Sequence, residues 1–585
     1  LTLDEMRLES ERLFFENFKH ERFIICNSQP GVGKTYNCIK AIIKIRQKMA
    51  FYSADYGALW NAKQILLAQG VPESEIAFIP QPAPPPEEKD TPTYPYQFEC
   101  THPEKVMSMR NAGLEPRLRV CKDCKDLLWC PLILARENTE SKSYILAHAS
   151  YLRGTSCVAW NRDRHVVLDE YMVEELLGKG SFTEAEIDMF RRSIRRFQYI
   201  SCRKRKDWAE ACEKIWDQLL GIKIRTDKLR ASESSTGDIF DVDVCEPAID
   251  DWLYAFHKHV EKNYRDSVSL IRKMRGVTEV LLTKMNKTTT DGDRVLSFDL
   301  TYRNPIDLSN ARSITVLDAT ANVDLMKKTM KSCNVTMEPT DFGFIHPDMA
   351  NVIQVFGESP SRKGLKTSLF TRMVNRLNKF IRERKLKNVA MITYMKSEMG
   401  QAVDEVTVLP KVHFGGQIVG HNLIKDGGFN ALFVIGAPRQ NGDAVRVLAY
   451  LIGVYKKGDD LPEFGTNYWM NHNEKKVKFW SYDDPEWMKI DHYLIARELL
   501  QSMGRGACRG IPTLIVANIA LDGYPIQSRT WTNLIGNVRV SSQTAEERIY
   551  EVFEPDMSDD EIYELSGIAR SSYSQRIIGK IRASC

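Results

Sequence analysis

Two short stretches hold the residue types of a nucleotide site. SQPGVGKT, Ser28 to Thr35, lies between an apolar run, Arg22 to Ser28, and a helical stretch from Lys34 to about Lys48. Strand, glycine turn and helix make the context that a phosphate loop needs. Gly31, Val32 and Gly33 offer backbone N–H groups to the phosphates of ATP. Lys34 supplies charge to the β- and γ-phosphates, and the Thr35 hydroxyl binds Mg2+. HVVLDE, His165 to Glu170, is apolar until two carboxylates close it. A buried strand with Asp-Glu at its carboxyl edge fits a Mg2+-ordering Asp169 and a water-activating Glu170. Either stretch alone also fits an ordinary turn or strand end; an ATP site is read from the pair.

Two more segments bear on the same chemistry. SITVLDATAN, Ser313 to Asn322, is a third apolar strand ending in a small-residue turn. ELLQSMGRGACRG, Glu498 to Gly510, is helical, and Gln501, Arg505 and Arg509 recur at i, i+4 and i+8, along one face. A glutamine and two arginines suit a γ-phosphate as sensor and arginine fingers. A basic helix end favoured by the helix dipole is the plainer alternative.

Between the first two motifs stand four cysteines, Cys100, Cys121, Cys124 and Cys130, in the spacing C-x20-C-x2-C-x5-C. Such a set holds tetrahedral Zn2+ or a [4Fe–4S] cubane, with His102 able to replace a thiol at zinc, and spacing does not choose between them. Buried thiols without a metal are a third reading. Thirteen cysteines, an odd count, in a 585-residue chain without a signal-peptide pattern point to a reducing compartment. No run of about 18 apolar residues is present, so no membrane partner is expected. A net charge of +4 neither demands nor excludes nucleic acid.

The four motifs, in this order and with cysteines between the first two, resemble the XPD/DinG-like, iron–sulfur branch of superfamily 2 DNA helicases over about residues 20 to 525. The likeness rests on motif order more than on identity, so the chain is a divergent member, of a kind common in viruses and mobile elements. Three departures stand out. The second motif reads D-E-Y-M, with Met172 where the family has histidine. Cys508 occupies the family's last arginine position, with Arg509 one residue late. The penultimate motif is matched only through Gly420, Asn422 and the strand ALFVIGAP.

The resemblance implies an α/β fold of two RecA-like lobes that bind ATP and Mg2+ between them. It places a metal-cluster insertion, a helical arch-like insertion and a small helical C-terminal tail around the lobes. It favours [4Fe–4S] over zinc, couples Thr320 to the nucleic-acid strand, and implies 5′-to-3′ movement on single-stranded and forked DNA. The expected boundaries are 1–98, 143–178 and 304–334 for the first lobe, 99–142 for the cysteine segment, 179–303 for the arch, 335–530 for the second lobe and 531–585 for the tail. The expected location is cytoplasmic or nucleoid-associated. The alternative is a nucleic-acid-stimulated ATPase that remodels a protein or acts as a loading switch without unwinding.

The remaining sequence carries softer signals. Gln81 to Gln97 is a proline-rich connector. Arg191, Arg192, Arg195, Arg196, Arg203, Lys204, Arg205 and Lys206 interleave with Phe197, Tyr199 and Trp208. That pattern fits either a single-strand track or a solvated helix face with core aromatics. Glu463 to Asp484 reads as a hairpin. The tail reads as two short helices around Gly567, a helix-turn-helix or a plain packed pair, with a capping box from Ser558 to Glu561.

Overall fold

The computed structural model describes residues 3–20, 22–28, 32–82, 97–98, 100–103, 105–106, 121, 124–153, 156–169, 176–201, 205–232, 236–242, 252, 255–256, 277–288, 294–304, 306–342, 351–356, 368–394, 403, 406–408, 428–438, 442–470, 476–507, 510–519, 521, 526–531, 534, 549, 553, 557–566, 570 and 572–584. The chain is mixed α/β, built around two parallel sheets. The first runs, edge to edge, Pro339–Asp341, Phe23–Cys26, Ser313–Leu317, His165–Asp169, Met49–Ser53, Tyr144–His148 and Ile76–Phe78. FIIC, MAFYS, HVVLD and SITVL are buried at every position. Sheets covered on both faces require such continuous apolar runs.

Helix Lys34–Lys44 covers one face with Cys38, Ile39, Ala41 and Ile42. Helix Leu3–Asn17 lies on that helix, where Glu11 meets both Lys40 and Lys44 and Asn37 Nδ2 donates to the Arg7 carbonyl. The last strand of this sheet, Pro339–Asp341, lies beyond residue 334, where the sequence put the end of the lobe.

The second sheet, also parallel, runs Val406–Val408, Val389–Ile392, Ala431–Ile435, Thr513–Val516, Val352–Phe356 and Gln527–Thr530. Helix Pro485–Ala507 packs on it through Ile495, Leu499 and Met503. Gly506 sits so close that an added Cβ would lie 2.4 Å from Thr513 Oγ1.

The segment inserted into the first lobe departs from the helical arch that the sequence suggested, since it also carries a sheet. Among its described residues, helices Glu184–Ser201 and Lys206–Ala231 lie beside an antiparallel sheet ordered Leu177–Phe182, Arg294–Arg303, Glu279–Thr288, Thr236–Asp241. Its long hairpin pairs EVLLTKMNKT with RVLSFDLTYR, and Leu296 to Tyr302 of the second strand alternate apolar and polar residues, the pattern of strands. Gly178 faces Tyr302 across two strands, and a Cβ there would lie 1.8 Å from the ring.

The hairpin expected at 463–484 is present as Phe464–Met470 paired with Lys476–Tyr482. The tail forms Asp559–Ser566 and Ser572–Ser584 around Ile562, Ile577, Ile578 and Ile581. The capping box is formed: Ser558 Oγ and Glu561 exchange hydrogen bonds with each other's backbone N–H. No helix among the described residues is long and apolar enough to cross a membrane. The proline-rich connector lies mostly outside the described residues.

His165, at the start of its strand, is 1 % exposed and paired through Nδ1 with Ser313 Oγ. Burial, with Arg312 nearby, pushes its pKa down from 6.5 to about 4. The unfolded chain therefore takes the proton first. The stability that neutral His165 confers is complete above pH 6.5 and falls by about 3 kcal/mol as the pH drops through 4. Urea melts at pH 7 and pH 4 should show this loss in the wild type and a smaller one in His165→Gln.

Candidate functional site

Parallel register brings the site together. Cys26 pairs with Leu317, Leu317 with Asp169, Asp169 with Ser53, and Ser53 with His148. The strand ends form one row at the carboxyl edge of the first sheet, where open α/β sheets bind ligands. The loop that leaves Cys26 turns into helix Lys34–Lys44 through Gly33, whose φ of 76° is the left-handed conformation that glycine adopts without strain.

Lys34 and Thr35 open that helix. Lys34 is 9 % exposed and its Nζ donates to the Ser28 carbonyl at 2.8 Å, spanning the mouth of the loop. Thr35 Oγ1 donates to Asp169 Oδ1 at 3.3 Å, across 134 residues of sequence. A hydroxyl and a carboxylate are oxygen donors of the kind that Mg2+ takes, and here the two lie side by side. Val32 is fully buried and holds the loop to the core.

The next strand supplies Asp318, whose Oδ1 accepts from Thr320 N at 2.8 Å and Thr320 Oγ1 at 2.7 Å. That bond fixes the small-residue turn before Asn322 caps helix Val323–Lys331. Asn37 was not singled out in the sequence. Its Nδ2 reaches the Val32 carbonyl at 3.4 Å as well as Arg7, bracing the loop against the N-terminal helix. A lone amide on the apolar face of helix Lys34–Lys44 was the available signal. Cys26 and Cys38 lie beneath the loop, and burial pushes both thiols up in pKa, so they are protonated and inert.

The other expected residues are distributed differently. Gly31, Glu170 and Arg509 lie outside the described residues, as do Met172, Cys508, Gly420 and Asn422. Gln501 is buried within helix Pro485–Ala507 of the second lobe, and Arg505 is on the same helix. That helix ends at Ala507, and Gly510 at φ 66° follows, with Ile511 N bonded back to Gly506 O.

Cys100, Cys121, Cys124 and Cys130 are all half-buried, whereas Cys26, Cys38, Cys157, Cys212 and Cys333 are buried. Cys124 N bonds to Cys121 O, and Cys130 begins helix Pro131–Glu137. The described residues hold no group of three or more His, Cys, Asp or Glu side chains placed to share one metal ion.

The basic helix face is largely satisfied internally. Arg195 pairs with Glu213 at 2.6 Å and lies 4.2 Å over Trp216, and Arg205 pairs with Asp207 and lies over Trp208. Phe197 is 1 % exposed and stacks with Trp208 inside the insertion core, so it is no platform for bases. Tyr199 is exposed, as are Arg192 and Arg196.

No family model and no curated protein matches the chain. Among solved structures it is similar to one titled "XPD_Helicase", with 14 % identity over 88 % of this chain and 95 % of that one, at a TM-score of 0.48. A structure titled "Structure of S. tokodaii Xpd4" shows 13 % identity over 88 % and 95 %, at 0.45. "XPD_APO" shows 11 % over 89 % and 99 %, at 0.44. The side chains described above, and not these likenesses, carry the functional reading.

Replacing Asp169 by asparagine keeps an oxygen for Thr35 but removes the charge that a divalent cation needs. Mg2+-dependent ATP turnover should fall at least about a hundredfold, with circular dichroism unchanged. Near-wild-type turnover would remove Asp169 from the metal role.

Proposed function

We propose that the chain is an ATP-driven DNA helicase that moves 5′ to 3′ on single-stranded DNA and opens forked duplexes. The observation that carries this reading is the Thr35–Asp169 contact beside Lys34, at the carboxyl edge of a parallel sheet. Lys34, Thr35 and Asp169 would hold the phosphates of ATP and Mg2+. The cation supplies neutralisation of the charge that develops on the transferred phosphoryl group. Lys34 adds a fixed ammonium at the loop mouth. In this reading Glu170 takes the proton of the attacking water, and Gln501, Arg505 and Arg509 answer from the second lobe. The Asp318–Thr320 turn relays closure of the site to the strand.

Support for a motor acting on DNA comes from the order of the motifs and from a cysteine segment set inside the first lobe. The donor set itself suits a thiolate-held [4Fe–4S] or Zn2+ centre: four half-exposed thiols on one segment, with the remaining described cysteines buried. The described residues do not gather three of these donors around one point.

Strand displacement with matched 5′-tailed and 3′-tailed duplexes tests the motor. We expect opening of the 5′-tailed substrate only, abolished by Lys34→Ala without loss of soluble folded protein. Preference for the 3′ tail overturns the polarity, and DNA-stimulated ATP turnover with no displacement supports the loading-switch alternative. Metal content is a separate expectation: about four irons per chain with absorbance near 400 nm, both lost in Cys124→Ser. One zinc per colourless chain would replace the iron–sulfur assignment.

A further inference from the structure

The hairpin Phe464–Met470/Lys476–Tyr482 carries two large, half-exposed rings, of which Phe464 also meets Tyr482 edge-on with centroids 5.2 Å apart. Phe464 is 47 % exposed and Trp480 is 54 % exposed. Phe464 lies opposite Tyr482 and Trp480 opposite Thr466, so the two rings are diagonal neighbours across the strands. They stack with centroids 6.4 Å apart and planes 25° apart.

The hairpin is held from below by other groups. Tyr482 is 5 % exposed and packs on Trp487, which is 4 % exposed. Ser481 Oγ donates to Asp491 Oδ2 at 2.8 Å within the core. Asn467 Nδ2 donates to the carbonyls of Ser481 and Tyr482. Asp484 then caps the following helix through the N–H groups of Glu486 and Trp487. Removing Trp480 would leave all of these contacts in place.

The charge pattern selects the occupant. Lys478 and Lys476 follow Trp480 at alternate positions of the same strand, opposite Tyr468 and Met470, and Lys475 precedes them. Between Phe464 and Tyr482 the sequence sets Glu474 alone against these three lysines, while Glu463 and Asp483 lie at the base, joined through their backbones. Stacked rings on a strand whose sequence sets lysines at alternate positions 476 and 478 match a ligand of unpaired bases and phosphates. A duplex offers no base faces to the rings, and an apolar protein surface would not call for the lysines.

We propose that this hairpin face is a binding surface for single-stranded DNA, with Trp480 and Phe464 stacking on bases and Lys476 and Lys478 neutralising phosphates. The proposal rests on the reading of the chain as a motor on single strands. It gives that motor a contact rooted in the helix that bears Gln501. The same root reaches the first lobe, where Glu486 pairs with Lys328, on the helix that follows the Asp318–Thr320 turn.

Fluorescence anisotropy of a labelled oligothymidylate on the full chain tests it. Trp480→Ala should weaken binding about tenfold, Trp480→Phe should restore most of it, and thermal melting should match the wild type. Lys476→Glu with Lys478→Glu should weaken binding and lower the salt slope by about two. Wild-type affinity and salt slope in these variants, with the wild type itself binding, overturn the hairpin surface and leave the motor reading standing. Failure of the wild type to bind the oligothymidylate overturns both. A dimer that Trp480→Ala dissociates, with DNA binding unchanged, would assign the face to a second copy and also overturn the proposal.

Discussion

Parallel register is the constraint on which the candidate site depends. Strands held parallel and in step end together, so a residue one position past the apolar run of one strand lies beside its counterpart on the next. Cys26, Leu317, Asp169, Ser53 and His148 share such a row. A one-residue slip of His165–Asp169 would turn Asp169 to the opposite face and bury an unpaired carboxylate. The apolar positions of HVVLD, packed on both faces, therefore protect the Thr35–Asp169 contact as much as the two polar groups do.

The two lobes and the insertion also share contacts away from that row. Arg303 Nη2 donates to the Tyr450 carbonyl at 2.6 Å, and Tyr450 Oη donates to the Glu279 carbonyl at 2.9 Å. These clasp the insertion sheet to helix Gly442–Leu451 of the second lobe. Lys328 and Glu486 join the first lobe to the foot of helix Pro485–Ala507. Each of these ion pairs and hydrogen bonds is small. Their common position around the buried Tyr450, Tyr482 and Trp487 makes them a single joint rather than scattered surface links.

The fold was legible where apolar runs were long and bounded. RFIICNS, HVVLDE, SITVLD and ALFVIGAP all yielded strands, and the glycine before Lys34 leads into a helix as its context suggested. Short strands such as Ile76–Phe78 and Pro339–Asp341 escaped notice because three residues carry no periodicity. The insertion was read as helical because its first half is dense in charge at helical spacing, which hid the alternation in its second half. Of the candidate site, the closeness of Thr35 to Asp169 beside Lys34 was legible from residue type and context. Asn37 was not, since its role depends on Arg7, thirty residues earlier and on another helix. Composition showed arginines beside aromatics in the insertion, but it could not show that Glu213 and Trp216 had already engaged Arg195.

The insertion enters and leaves the first lobe through adjoining strands: Leu177 lies opposite Arg303, and Asn304 N bonds to Leu176 O at 2.8 Å. From the standpoint of the lobe, everything from Gly178 to Tyr302 is one long excursion on a closed two-stranded stem. Loop-closure entropy grows only with the logarithm of loop length, so the lobe is nearly indifferent to how much chain the stem carries. Such a stem leaves Asp169 on one side and Asp318 on the other in strands that the length of the carried chain does not disturb. What the stem leaves free, Arg303, Glu279 and Tyr450 then tie to helix Gly442–Leu451.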